Sequence, residues 1–256
     1  MINPKKEATQ IVDNKVEIAV CPNCESVTTH MYFMQDAATK QQSKWYSCSC
    51  GIVWQAHYKG CVYDQAYLDN LPTGSKYDTA LKAIPKIIAP LAEEMMYGRK
   101  MLMIGHYPSQ IEEFKRRGWV TFSIDKNTAY TTSERMIAAD FETFQFAEDE
   151  KYSMIWAYHV IESFNNPFES LKKAFSLLAE DGIIFIGTPD SDFLYTRGPA
   201  GFVHWKRDYN HILWNRKSLT SYLEKLGFNV VLARKNYEPR FPFTDDIWLL
   251  AQKRFY

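Results

Sequence analysis

Short apolar runs alternate with amphipathic segments through the second half of the chain. The run at 100–105 predicts a buried strand, 109–118 an amphipathic helix that ends at Gly118, and 119–125 a second strand that ends in an acid. The rhythm continues with candidate strands at 136–144 and 152–163, a helix at 167–182 that stops at Gly182, and a strand at 182–189. Strands separated by helices form parallel sheets with right-handed crossovers, so the pattern predicts a doubly wound α/β fold.

The rhythm changes after residue 189. Residues 190–214 are rich in aromatic side chains and histidine and predict a loop. A helix at 218–227 and two strands at 228–235 and 245–254 follow. The segment that joins these strands is too short for a helical crossover, so we expect them to pair antiparallel. The whole pattern predicts a mostly parallel seven-stranded sheet with an antiparallel last strand.

The cysteines divide the chain. All five lie in its first quarter, at Cys21, Cys24, Cys48, Cys50 and Cys61. This shift in composition predicts a small N-terminal module over residues 1–65, a helical connector over 66–98 and the α/β domain over 99–256. We expect the connector helix to be interrupted by Pro85 and Pro90, because proline lacks the backbone donor that a helix needs.

Composition excludes several classes of protein. Thirty Lys and Arg residues balance thirty Asp and Glu residues, which argues against a protein that grips nucleic acid through bulk positive charge. No apolar run approaches the roughly eighteen residues that cross a bilayer. The N-terminal segment lacks the hydrophobic core of a signal peptide, so we expect a cytoplasmic protein with reduced cysteines and no membrane partner.

Two cysteine pairs have the spacing of metal-binding turns. Cys21 and Cys24 form a CxxC pair, and Cys48 and Cys50 form a CxC pair. Four thiolates bind Zn²⁺ tetrahedrally in structural sites and leave no position open for catalysis. The short second pair strains its turn, which leaves His30, His57 or Cys61 as alternative ligands; ordinary reduced thiols are the other interpretation.

Several stretches carry a family resemblance. These are CPNC with WYSCSCGIVWQ, RKMLMIGHYPSQIEEFKRRGWVTFSIDKN, WAYHVIESFNNPFESLKKAFSLLAEDGIIFIGTPD, and NHILWNRKSLTSYLEKLGFNVV. Together they resemble bacterial and phage class I S-adenosylmethionine-dependent methyltransferases with an N-terminal zinc ribbon. In this fold the cofactor lies across the carboxyl ends of the first two strands, where strand order reverses.

The resemblance implies a set of cofactor-binding residues. Asp125, at the end of the second strand, would accept hydrogen bonds from the ribose hydroxyls. Asp140 would bond the adenine amino group and Phe141 would cover the ring. Ala157 and Tyr158 would flank the methionine end, and the set is completed by Gly105, His106 and Lys126.

The first loop departs from the family pattern. Family members read roughly GxGxG, whereas this chain reads Gly105, His106, Tyr107, Pro108 and Ser109. Either the loop follows another path, or the cofactor binds weakly or not at all. A cofactor-free binding or assembly module with the same fold is therefore an alternative function.

Methyl transfer to oxygen or nitrogen usually needs a base. His159, His204 and His211 lie where the fold places the acceptor, and His211 is the first choice because NHILW matches the family's histidine. Basic and aromatic side chains in the last third favour a small or saccharide-like acceptor, such as a glycan precursor, that carries phosphate or carboxylate. A nucleic-acid-modifying enzyme is a weaker alternative, and the oligomeric state is undetermined.

Overall fold

The computed structural model describes residues 18–28, 30–35, 42–56, 75–127, 135–201, 209–235 and 245–254. Within these residues, no helix is both long enough and apolar enough to cross a membrane. The predicted boundary near residue 65, the alternative ligands His57 and Cys61, and His204 all lie outside them.

The N-terminal part is built from short antiparallel strands. Strands β1 (Ala19–Val20) and β2 (Val27–Thr28) form one hairpin, and β3 (Met31–Gln35), β4 (Gln42–Ser47) and β5 (Val53–Gln55) form a meander. A distant strand, β11 (Ile212–Leu213), pairs antiparallel with β5 and gives this sheet the order β11-β5-β4-β3. The N-terminal module is therefore joined through its sheet to the last third of the chain.

A second sheet of seven strands forms the body of the protein. Its strands are β6 (Lys100–Ile104), β7 (Val120–Asp125), β8 (Met136–Ala138), β9 (Tyr152–Tyr158), β10 (Leu178–Pro189), β12 (Phe228–Lys235) and β13 (Asp246–Lys253). They lie in the order β12-β13-β10-β9-β6-β7-β8. Only β13 runs against the others, since it pairs antiparallel with both β10 and β12. The predicted seven-stranded, Rossmann-like fold is confirmed.

Helices cover both faces of this sheet. Those in the described part of the chain are α1 (Ser75–Glu93), α2 (Pro108–Arg116), α3 (Pro167–Leu177) and α5 (Arg216–Leu226), with a 3₁₀ turn at Ile161–Ser163. A further helix, α4 (Asp192–Gly201), instead buries Leu194 with Trp45, Val53 and Leu213 of the N-terminal sheet. One face buries Met101, Met103 and Trp156 under α1 and α2, and the other buries Leu102, Ile155 and Ile184.

The strands predicted at 136–144 and 152–163 end earlier, at Ala138 and Tyr158, and three larger details of the sequence prediction were also wrong. Helix α1 runs unbroken through Pro85 and Pro90, because its buried Ile84 and Ile88 hold it against the sheet. The helix after Pro167 ends at Leu177 and not at Gly182.

Gly182 instead lies inside β10, in an irregular stretch between the pairs Leu178–Tyr152 and Ile183–Met154. A Cβ at Gly182 would lie 2.9 Å from the carbonyl oxygen of Ala179, so the irregularity requires glycine. Finally, the segment at 190–214 was expected to be a loop, yet it contains α4 and β11.

Candidate active site and metal centre

The carboxyl end of the sheet has one point where strand order reverses. From β6 the chain continues to β7 and β8 on one side, whereas β9 and β10 lie on the other. Loops at such a point diverge and leave a crevice, which is the usual binding place in open α/β sheets. The residues implied by the resemblance come from the ends of these strands.

Asp125 is anchored at this crevice by backbone amides. Its Oδ2 accepts the N–H of His106 at 2.9 Å, and its Oδ1 accepts the N–H of Asn127 at 2.8 Å. Burial raises the pKa of Asp125, and these two hydrogen bonds oppose that effect. A carboxylate oxygen can accept more than one hydrogen, so both oxygens can still accept from ribose hydroxyls. Lys126, the next residue, is half-buried.

Gly105 and His106 shape the loop after β6. Gly105 has φ +88°, in the region that favours glycine, and its N–H bonds the carbonyl of Ile124 at 2.9 Å. The ring of His106 is buried, with Nδ1 2.9 Å from Ser123 Oγ, and burial lowers its pKa. The backbone N–H of His106 therefore contacts Asp125 at the crevice, while its ring lies against Ser123 of β7.

Two side chains cover Gly105. A Cβ built at this glycine would lie 3.0 Å from Val160 Cγ1 and 3.3 Å from Tyr107 Cε2. The ring of Tyr107 also makes an edge contact with Tyr158, with centroids 5.8 Å apart. The adenosine half of the crevice thus fits the implied cofactor, whereas the methionine half would require the Tyr107 ring to move.

Asp140 follows β8 by two residues, and the last residue of β8, Ala138, pairs with Asp125 at the end of β7. Its Oδ1 accepts the N–H of Glu142 at 2.8 Å and closes a turn. The ring of Phe141 is buried and stacks on Phe164 at 5.9 Å. Phe141 is therefore part of the core that supports the crevice.

The end of β9 is fully buried. Ala157 pairs with Ile104 and Ile186 on the two neighbouring strands, which places it at the centre of the sheet. Tyr158 donates its hydroxyl to Asp246 Oδ2 at 3.2 Å. Both residues lie at the carboxyl end of β9, and their role at the methionine end of the cofactor stays a prediction.

His159 is held between two buried carboxylates. Its Nε2 lies 2.9 Å from Asp246 Oδ2, and its Nδ1 lies 3.4 Å from Glu162 Oε1. Burial alone would lower the pKa of His159, but the two acids outweigh it and raise the pKa to about 10. His159 is therefore an imidazolium at neutral pH and has no lone pair with which to act as a base.

His211 has the opposite electrostatic character. Burial lowers its pKa, and hydrogen bonding to the Phe164 carbonyl, 3.0 Å from Nδ1, only partly opposes this. A ring nitrogen that faces a carbonyl must donate, so the neutral tautomer carries its hydrogen on Nδ1 and its lone pair on Nε2. The backbone N–H of His211 also bonds the carbonyl of Glu162 at 2.6 Å, which ties it to the turn after β9.

Sequence reasoning missed two groups of buried charges: Asp246, which contacts His159, and a cluster around Lys235. Lys235 Nζ lies 3.0 Å from Asp190 Oδ2 and 2.7 Å from Asp192 Oδ2. Asp190 and Asp246 are both fully buried, at the end of β10 and the start of β13. The paired acids in the sequence DDIWLL, which open a buried strand, were the available signal for Asp246.

The four cysteines of the two pairs converge. Cys21 Sγ lies 3.6 Å from Cys50 Sγ, Cys24 Sγ lies 3.5 Å from Cys48 Sγ, and all four sulfurs lie within 4.8 Å of one another. Sulfurs at about 2.3 Å from a tetrahedral Zn²⁺ are themselves about 3.8 Å apart, so this cluster fits zinc. The short CxC spacing lets both Cys48 and Cys50 join the cluster. His30, an alternative ligand, is exposed and is not part of this cluster.

Comparison with solved structures shows the same fold. A SAM-dependent methyltransferase from Archaeoglobus fulgidus is 17% identical with a TM-score of 0.58, over 74% of this chain and 100% of that one. Magnesium protoporphyrin IX methyltransferase from Synechocystis PCC 6803, solved with SAH, is 12% identical with a TM-score of 0.55, over 75% and 96%. A candidate O-methyltransferase from Nostoc punctiforme PCC 73102 is 15% identical with a TM-score of 0.53, over 68% of this chain but only 57% of its own.

The amino-acid sequence was also compared with curated proteins and with protein families. No curated protein sequence matches this chain significantly. A family described as "Methyltransferase domain" matches residues 97–233, which is just over half of the chain and includes the crevice, His159 and His211. The chain therefore belongs to the methyltransferase-domain family.

Proposed function

We propose that this protein is an S-adenosylmethionine-dependent methyltransferase that contains one structural zinc ion. The observation that carries the proposal is the position of Asp125, a half-buried carboxylate at the reversal of strand order, held by the amides of His106 and Asn127. The family match and the Synechocystis structure solved with SAH support the same cofactor.

Each part of the crevice has a defined task in this proposal. The cofactor supplies an electrophilic methyl group. Asp125 accepts hydrogen bonds from the ribose hydroxyls, and Asp140 accepts a hydrogen bond from the adenine amino group. His211 takes the proton of the acceptor at its Nε2. His159, as an imidazolium, pairs with Glu162 and so fixes the turn at 160–164, which carries the carbonyls bonded by His211.

The proposed acceptor is a small or saccharide-like molecule, such as a glycan precursor. The surplus of basic side chains in the last third of the sequence supports an acceptor that carries phosphate or carboxylate. Zinc, held by Cys21, Cys24, Cys48 and Cys50, closes the N-terminal turns and takes no part in the chemistry. Four zinc-binding thiolates also suit the reducing cytoplasm, which is the location we propose.

A second candidate is a cofactor-free module of the same fold. The observation that favours it is the cover of Tyr107 and Val160 over Gly105. Direct binding measurements distinguish the two candidates.

Calorimetry with S-adenosylmethionine and its demethylated product tests the proposal. We expect binding to the wild type, and Asp125→Ala should weaken it by about 1.5–3 kcal/mol, the range for a hydrogen bond to a charged group. Asp149→Ala, which changes an exposed aspartate away from the crevice, is the matched control and should bind as the wild type does. No binding by the wild type at millimolar cofactor would support the cofactor-free module instead.

A further inference from the structure

The cysteine cluster and His211 are connected by a short path through the backbone. Cys50 is followed by Gly51, and Gly51 leads through Ile52 into β5. Strand β5 pairs with β11 through the pairs Trp54–Ile212 and Val53–Leu213. His211 immediately precedes β11, and its carbonyl accepts the N–H of Gln55 at 2.8 Å.

Two further contacts join the same elements. The buried hydroxyl of Ser191, just after β10, donates to the carbonyl of Gly51 at 2.7 Å. A Cβ built at Gly51 would lie 2.1 Å from the side chain of Asn215, which caps the N-terminus of α5. The turn that contains Cys48 and Cys50 is therefore packed directly against both ends of the segment that carries His211.

The hydrophobic core makes the connection continuous. Cys21, Cys48 and Ile52 belong to the same buried cluster as Ile212 and Trp214, and this cluster extends to the sheet residues Ile155 and Ile184. Strand β11 contributes only two residues to its sheet. Such a short strand cannot hold its position without the strand that it pairs with.

We infer that the metal-binding cysteine turn positions His211: ligation of Cys48 and Cys50 holds Gly51 and β5 in place, and these hold β11 and the adjacent His211 against the carbonyls of 162–164. Ser191 is a positioning residue, because it fastens Gly51 to the end of β10. This inference rests on the proposed function, since it matters for turnover only if His211 is the base.

Amide hydrogen exchange of the full-length protein, with zinc and after chelation, tests the inference without an activity assay. Zinc removal should speed exchange at 51–56 and at 211–213 together, by about tenfold or more, while β6 and β9 stay protected. Unchanged protection at 211–213, with 51–56 exposed, would overturn the inference.

A pair of variants tests the path in the zinc-loaded protein, so that unfolding on chelation cannot obscure the result. Ser191→Ala and Thr28→Val each remove a buried hydroxyl that donates to a carbonyl of the cysteine module, at Gly51 and Ser47 respectively. Ser191→Ala should speed exchange at 211–213 by about tenfold and lower kcat with little change in KM, whereas Thr28→Val should do neither. Equal effects of the two variants would overturn the inference.

The experiments distinguish failure of the coupling between the cysteine turn and His211 from failure of His211 as the base. If exchange at 211–213 follows zinc but His211→Ala keeps its turnover, the structural coupling stands and the assignment of the base fails. If exchange does not follow zinc but His211→Ala loses turnover, the base stands and the coupling fails.

Discussion

Nε2 of His159 lies 2.9 Å from Oδ2 of Asp246, a contact between residues 87 positions apart in the chain. His159 has φ +49°, an uncommon conformation for a residue with a side chain. His159 directly follows β9 and Asp246 begins β13, and these two strands are separated in the sheet by β10. This ion pair therefore fastens the antiparallel end of the sheet to the crevice, and it explains why His159 is a structural cation.

The first prediction concerns this pair and pH. The pKa of His159 in the folded protein, about 10, exceeds the unfolded value near 6.5, so its contribution to stability is complete below about pH 6.5 and disappears as pH rises through about 10. We expect the free energy of unfolding to fall between about pH 7 and 10.

His159→Asn provides the control for this pH dependence, because asparagine tolerates the same φ but cannot become charged. It should be destabilised by about 3 kcal/mol or more at pH 7, since two buried carboxylates lose their cation, and should show a weaker pH dependence. Denaturant unfolding measures both effects. An NMR titration of the ring with a midpoint near 6.5 would contradict the assignment.

The second prediction concerns zinc. Purified protein should contain one zinc ion per chain, and serine at Cys21, Cys24, Cys48 or Cys50 should release it, because all four sulfurs converge. Metal analysis of each variant measures this. Cys61→Ser is the matched control and should retain its zinc; loss of zinc in that variant alone would show that the ligand set is wrong.

The third prediction concerns Gly51. Its φ is +99° and a Cβ would lie about 2 Å from the capping side chain of Asn215, so Gly51→Ala should lower the free energy of unfolding by about 2 kcal/mol or more. Gly118 also has a positive φ, +81°, but no atom lies within 4 Å of its would-be Cβ. Gly118→Ala should therefore cost only about 1 kcal/mol. Equal losses in urea unfolding would mean that the contact with Asn215 is unimportant.

Local patterns were sufficient to predict the sheet. Continuous apolar runs such as 101–104 and 183–186 are typical of strands buried on both faces, so the seven strands could be identified. The cysteine cluster was also predictable, because each pair needs only a local turn. Asp125 could be singled out only through the family resemblance, because an aspartate at the end of a strand more often caps the next turn.

Other features depend on contacts that have no local signal. The pairing of β5 with β11 involves two-residue and three-residue strands from opposite ends of the chain. Helix α4 contains Gly198 and Pro199, which disfavour a helix, and so its segment resembles a loop. The charge states of His159 and His211 differ because one faces two carboxylates and the other a carbonyl, and no sequence pattern distinguishes them.

The fourth prediction concerns Tyr107. Its ring covers Gly105 where the methionine end of the cofactor would lie, so binding has to displace it. Tyr107→Ala should bind S-adenosylmethionine about fivefold more tightly, because the open form no longer competes with a closed one. Tyr97→Ala, at a fully exposed tyrosine, is the control. Weaker binding by Tyr107→Ala would show that the ring contacts the cofactor.

The fifth prediction concerns the base. If His211 takes the proton of the acceptor, His211→Ala should lower kcat by about a hundredfold or more with cofactor affinity unchanged. His30→Ala, which changes an exposed histidine of the N-terminal module, should retain full turnover. His204→Ala is measured in parallel, and a comparable loss there alone would transfer the role to that residue. Transfer of labelled methyl to nucleotide sugars and glycan precursors provides the assay.

The pH profile separates a base from a packing histidine. Burial lowers the pKa of His211, while the Phe164 carbonyl and the charge of Glu142 oppose the shift without cancelling it. Because a base acts only when deprotonated, kcat should rise with pH through a pKa below 6.5 and then stay level to about pH 8. His159, charged throughout this range, cannot produce such a limb. A rising limb near pH 10 would instead identify His159 as the base and contradict the role proposed for His211.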